Sequence, residues 1–277
     1  MTVIAHVSDL HLTPVPFPFG EGLKPALGWI NWARKPGAHD GAIAARIIAA
    51  LRAARPDHVA LTGDLIELGL TTEYAAAGAA LGEFGDPERV SWAPGNHDVY
   101  TRRAAQRLQA ILGDWLGPPA GEGDLRARFP RLTLAGRVAV VTLCSGTPTW
   151  LFSAEGELGA AQLGRLDTLL AGLDRRAQLP VLAIHHPPHA PGLSRLKRLR
   201  EGEALMALLA RHGCPLVLHG HLHRACDTVW TGATGTITLA GAPSASAAGR
   251  HGDDPAGFSL IHVASDLSWR LERRTLS

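Results

Sequence analysis

Apolar residues in this chain gather in short runs at 2–8, 57–62, 89–93, 138–144, 181–184 and 215–219, each of a length suited to a buried strand. Between these runs the apolar positions recur every three or four residues. Within 41–55, for example, Ile43, Ile47, Ile48 and Leu51 fall on one helical face. Similar patterns at 72–84, 101–112, 159–173 and 203–212 predict further helices. Strands alternating with helices imply an α/β sheet covered by helices.

After His223 the rhythm changes to short runs with turn signals at 227–230, 236–239, 258–263 and 269–276, which read as antiparallel strands. Two sheets packed face to face with helices outside are therefore expected, the last strands completing the second sheet. The Gly/Ala/Ser/Pro-rich stretch 241–257 is a loop beside the site and not a linker, because strand-like sequence resumes directly after it.

A length of 277 residues suits one large α/β unit, so a single domain over 1–277 is expected. A hydrophobic fraction of 46% with 19% charged residues is that of a globular chain. The formal net charge of +2 gives no electrostatic case for a nucleic-acid partner, and none is expected. Cys144, Cys214 and Cys226 are odd in number and far apart, which argues against a disulfide framework and for a reducing compartment. The first residues lack the pattern of a secretion signal, and no run of 18 apolar residues occurs. A cytoplasmic location follows as the expectation; a peripheral membrane contact would leave no such mark.

The polar residues sit where the apolar runs end. Val7 leads to Asp9 and His11, Leu61 to Asp64, and Trp92 to Asn96, His97 and Asp98; Ile184 leads to His185 and His186, and Leu218 to His221 and His223. Ligands of α/β sheets bind beyond the carboxyl ends of the strands, so these five loops are expected to converge on one edge. In order, Asp9-x-His11, Gly63-Asp64, Gly95-Asn96-His97-Asp98, His185-His186 and Gly220-His221-x-His223 resemble the calcineurin-like metallophosphoesterase superfamily from residue 9 to residue 223. The spacing is most similar to the compact bacterial branch that holds class III cyclic nucleotide phosphodiesterases and glycerophosphodiesterases.

That resemblance implies a four-layer α/β/β/α sandwich, two mixed sheets flanked by helices. It also implies a pair of divalent or mixed-valence transition-metal ions. Asp9, His11 and His223 would hold one, Asn96, His185 and His221 the other, and Asp64 would bridge them. Carboxylate, imidazole and amide donors without thiolate suit Mn, Fe or Zn. Two such ions clamp an in-line displacement at phosphorus, in which a metal-bridging hydroxide attacks a phosphodiester. His97 would be the catalytic group that assists the departing alkoxide, while Asn96 and His186 would contact substrate. The competing functions are hydrolysis of a lipid-linked pyrophosphate or a phosphomonoester and, in a different class, a catalytically silent binding protein on the same fold.

His97 needs an orienting partner. Glu67, one helical turn past Asp64, stands where related phosphatases usually have Asp, and Asp98 is the alternative unless it caps the following helix. His6, His58, His212 and His262 lie in apolar periodic segments and read as structural. His219 would share one face of an extended strand with His221 and His223, which makes it a support for the ligands. Two segments bear on substrate. The insertion 14–36 mixes Phe17, Phe19, Leu23, Leu27, Trp29, Ile30 and Trp32 with Lys24, Arg34 and Lys35; the segment 195–200 carries Arg195, Lys197, Arg198 and Arg200. They are expected either to form an amphipathic lip for a large anionic substrate such as a lipid-linked phosphodiester or pyrophosphate, or to make a subunit contact or form a helix packed on the core with a solvated basic face.

Overall fold

The computed structural model of the chain describes residues 1–119, 125–249 and 254–276. In order, its regular elements are β1 Thr2–Val7, α1 Leu23–Ala33, α2 Gly41–Ala53, β2 His58–Leu61, α3 Thr71–Phe84, β3 Val90–Trp92, α4 Arg102–Leu116, β4 Arg131–Ala135, β5 Val138–Thr142, α5 Gly159–Ala171, β6 Leu179–Ala183, α6 Gly202–Arg211, β7 Leu216–His219, β8 Cys226–Gly232, β9 Gly235–Gly241, β10 Gly257–Val263 and β11 Trp269–Thr275. Among the described residues no helix is long and apolar enough to cross a membrane.

The strands form two sheets, one ordered β11-β10-β1-β2-β3 and the other β4-β5-β6-β7-β9-β8. Alternation along each strand decides which core a side chain enters. Ile4 and Ala60 of the first sheet meet Val140, Val181, Leu216 and Leu218 of the second in the core between the sheets. Ala5, Val7 and Leu61 point the other way, onto Ile47, Leu51, Tyr74, Leu81 and Leu108 of the helices. On the far side Val141, Leu182 and Val217 pack beneath Leu166, Leu170, Leu205 and Leu209. Three apolar layers between four layers of backbone make the α/β/β/α sandwich.

The last four strands do not all complete the second sheet, as the sequence pattern led us to expect. The β8–β9 hairpin joins it through β9, which runs parallel to β7. The β10–β11 hairpin instead joins the first sheet, with β10 antiparallel to β1. The burial of the two hairpins explains the split. Leu260 of β10 enters the core under the helices and Ile261 the core between the sheets, so β10 needs cover on both faces and takes a central place. In β8 half-buried residues alternate with exposed ones, which suits an edge.

Candidate metal centre

The strand ends β1, β2, β3, β6 and β7 bring their loops to one edge, and main-chain contacts lock the loops together beyond the sheets. Asp9 N donates to Gly63 O at 2.9 Å and His11 N to Asp64 O at 3.0 Å. Gly220 N donates to His185 O at 3.1 Å, and His221 N reaches Asp9 Oδ2 at 3.1 Å. Two glycines are required by these close approaches: a Cβ at Gly95 would collide with Asp64 Oδ1, and one at Gly220 with Ser8 Oγ. Asp9, His11, Asp64, His221 and His223 all adopt left-handed backbone, with φ between 40° and 69°. Such a set of strained non-glycine residues is unusual, and strain of this kind gathers where a side chain must be aimed.

The side chains converge. His223 Nε2 lies 3.4 Å from Asp9 Oδ1, and His185 Nε2 lies 3.2 Å from both Asp64 Oδ2 and Asn96 Oδ1. His11 Nε2 stands 4.0 Å from Asp9 Oδ1 and 4.0 Å from Asp64 Oδ2, buried and without a hydrogen-bond partner. Asp9, His11 and His223 form one group whose ligand atoms all lie within 4.8 Å of one another; Asp9, Asp64 and His185 form a second, and His185, His186 and His221 a third. Buried carboxylates facing an orphaned imidazole nitrogen are the arrangement that a cation would satisfy.

The electrostatics run the same way. Burial opposes ionisation of Asp64, but the imidazoles of His185 and His97 hold its pKa well below the usual carboxylate value. Burial likewise works against the charge on Asp9, and His223 beside it brings the pKa down. His185 is the reciprocal case: burial disfavours its imidazolium, yet Asp64 raises the pKa to about 9. Its Nδ1 donates to Thr62 O at 2.6 Å, which leaves Nε2 as the atom aimed at the carboxylates.

Of the two alternatives offered by the sequence, Glu67 is the residue at His97, with its carboxylate Oε1 3.7 Å from His97 Nδ1, and Asp98 serves elsewhere. Asp98 accepts from the backbone N–H groups of Asp64, Leu65 and Gly95 at 2.8, 2.9 and 2.8 Å, so its side chain clamps two loops. It does not cap α4, whose N-cap is Thr101. Burial, with the Asp64 charge behind it, pushes the Asp98 carboxyl up to about 7. Glu67 Oε2 accepts from His11 Nδ1 at 2.7 Å, whereas its backbone carbonyl accepts from His97 Nδ1, also at 2.7 Å. One residue therefore orients both rings, through different atoms. Glu73 fixes Glu67 in turn by accepting from its backbone N–H at 3.0 Å. Despite burial, the nearby charges of Glu67 and Asp64 raise the pKa of His97, which favours the imidazolium.

Two other expectations change. His186, expected at the substrate, is buried with Nδ1 2.8 Å from Ser145 Oγ and Nε2 3.1 Å from Ala154 O, so both nitrogens are engaged by protein and the ring backs His221, 4.4 Å away. His221 and His223 do not extend a strand from His219, because β7 ends at His219 and the next ligands turn through positive φ. His39 escaped sequence reasoning. Its ring lies 4.3 Å from that of His11, with Nδ1 2.8 Å from Ser246 Oγ. The signal available was a histidine beside Asp40, the N-cap of α2, but no strand leads into it. His58, His212 and His262 contact Ser91, Asp167 and Glu272, and His6 contacts Thr62 Oγ1, on the residue whose carbonyl accepts from His185. The described part of the 241–257 loop does sit over the site, where Ser244 Oγ donates to Asp9 O at 2.7 Å; residues 250–253 lie outside the described residues.

Convergence of two carboxylates, an amide and several imidazoles at the strand ends of a two-sheet sandwich defines a class of phosphoester hydrolase. The sequence profile of the calcineurin-like phosphoesterase family matches residues 2–225, and the chain belongs to that family. Over 271 residues it is 30% identical to a probable cyclic nucleotide phosphodiesterase of Synechococcus, covering 96% of this chain and 89% of that protein. A probable cyclic nucleotide phosphodiesterase of Rhodococcus erythropolis is 30% identical over 231 residues, which is 76% of this chain and 67% of that one. Among solved structures, a dimetal phosphatase from Danio rerio superposes with a TM-score of 0.67 at 15% identity, covering 99% of this chain and 96% of that chain, a likeness of fold.

Proposed function

We propose that this protein is a binuclear metal-dependent phosphodiesterase. The observation that carries the reading is His11 Nε2, buried without a partner and 4.0 Å from both Asp9 and Asp64. Asp9, His11 and His223 would hold one ion, Asn96, His185 and His221 the other, with Asp64 shared. When bound, the pair would supply Lewis-acid activation of a water and neutralise charge on the phosphoryl group. All donors are nitrogen or oxygen, which suits Mn, Fe or Zn.

The chain's own residues complete the chemistry. Because His97 Nδ1 donates to Glu67 O, its proton for the departing alkoxide is held at Nε2, and the ring is about a quarter exposed, at 26%. Asn96 offers Oδ1 to a cation and keeps its NH₂ for a phosphoryl oxygen. The name shared by the bacterial relatives makes a cyclic nucleotide the first substrate to try.

Metal analysis, followed by assays on bis(p-nitrophenyl) phosphate, p-nitrophenyl phosphate and cyclic nucleotides, tests this reading. Two equivalents of metal and chelator-sensitive turnover of a diester in preference to the monoester are expected. Tight metal binding with no hydrolysis of any ester would instead mark a binding protein and end the proposal.

A further inference from the structure

Beside the proposed metal centre, and sharing Asn96 and His97 with it, lies a cavity of about 550 Å³. Its lining includes Asn96 and His97 of the proposed centre, Leu27 and Ile30 of α1 with Arg34 just after it, and Leu151 and Phe152. The walls are held in place by Lys24. Its ammonium donates to Tyr100 O at 2.7 Å, Thr149 O at 2.8 Å and Thr149 Oγ1 at 3.1 Å, and lies 4.4 Å from the centre of the Tyr100 ring. All three of its protons are thereby spent inside the protein, so Lys24 ties α1 to both neighbouring segments and offers little to an anion. At the mouth Phe152 is 86% exposed and its neighbour Trp150 is 89% exposed, large apolar surfaces that water does not favour.

The side on which the cavity opens decides what enters it. His97 is the group placed to protonate the departing oxygen, so the carbon skeleton attached to that oxygen must lie on the His97 side of phosphorus. A volume of about 550 Å³ is within the range of organic ligand sites and far exceeds what a small alcohol fills. Resting on the phosphodiesterase reading, the geometry points to this cavity as the subsite for the leaving alcohol, and to a substrate whose leaving alcohol carries a bulky, mainly apolar group. Lys24 is a positioning residue for the subsite, and Phe152 closes over its occupant.

Two shapes share that chemistry, a flat ring system and a flexible chain, and the probes separate them. Calorimetry on the metal-loaded full-length protein measures binding of phenol, 2-naphthol and 4-butylphenol, the leaving alcohols of the corresponding methyl aryl phosphates, whose turnover is measured in parallel. At least one of the larger phenols is expected to bind ten times more tightly than phenol, and which one does so reports the shape. Leu27→Asp in the wall and Phe152→Ser at the exposed mouth should each remove most of that difference, while Val229→Asp, on an exposed strand of the other sheet, should preserve it. Equal affinity for the three phenols, or a preference that survives both cavity variants, overturns the subsite. Failure to hydrolyse any methyl aryl phosphate would instead overturn the phosphodiesterase reading, with the calorimetry still deciding the cavity.

Discussion

The two sheets contribute unequal chemistry to the same edge. Loops after β1, β2 and β3 bring both carboxylates, Asp9 and Asp64, together with Asn96, whereas the loops after β6 and β7 bring imidazoles, His185, His221 and His223. The negative charge that demands a cation is therefore carried by one sheet, and the other answers with groups that can be neutral. A cation at this edge would tie the layers together beside the bonds that already cross between them, His221 N to Asp9 Oδ2 and His185 Nδ1 to Thr62 O. On the proposed ligand assignment, the first sheet would set whether metal binds at all, and the second would set how the ions are arranged.

The largest test of that contrast is Asp64→Ala against His221→Ala. Loss of the shared carboxylate should empty both sites and reduce kcat by about a thousandfold or more. Loss of one imidazole should leave one ion and measurable turnover. Metal stoichiometry of the two variants checks this, and equal losses would break the distinction between the sheets. Next in size is His97→Ala, for which a fall of about a hundredfold or more is expected with a poor leaving group and much less with p-nitrophenolate, at unchanged metal content. Glu67→Gln should weaken metal affinity by about tenfold to a hundredfold, because His11 loses a charged partner on Nδ1 while the backbone carbonyl that orients His97 stays.

A smaller effect is read from pH. Against the cost of its own burial, the buried carboxylates raise His185 in the fold to about 9, from an ordinary imidazole value of 6.5. Its contribution to the stability of chelator-treated protein is therefore complete below about pH 6.5 and is lost as pH rises through about 9. With metal present the dependence should invert, since a bound cation must displace that proton and binds better at higher pH. Melting temperatures from pH 6 to pH 10, with and without chelator, measure both slopes, and parallel curves would contradict the role given to His185.

Most of the architecture was legible because strands buried on both faces make uninterrupted apolar runs, as in β5, β6 and β7. β4 escaped notice because it is an edge strand whose Leu132 and Leu134 face outward, so its apolar positions mark no core. Pro25 and Gly28 interrupt the helical pattern of α1, and Leu23 and Ile30 are exposed on it. The five clusters of polar residues were visible as strand-end motifs, and they do converge. What the sequence could not convey was the partner of each ring, since Glu67 serves His11 with its carboxylate and His97 with its carbonyl. His39 arrives from a connection with no strand before it, so reasoning from strand ends passed it by.

The left-handed backbone at Asp9, His11, Asp64, His221 and His223 places the proposed chemistry on conformations that unaided folding disfavours by roughly 1–2 kcal/mol per residue. A lineage that gave up its ions would gain robustness by replacing these residues with glycine, so loss of activity in this architecture runs downhill. In chelated protein His221→Gly should raise the melting temperature, and a lower value would show that the ring was holding the turn in place.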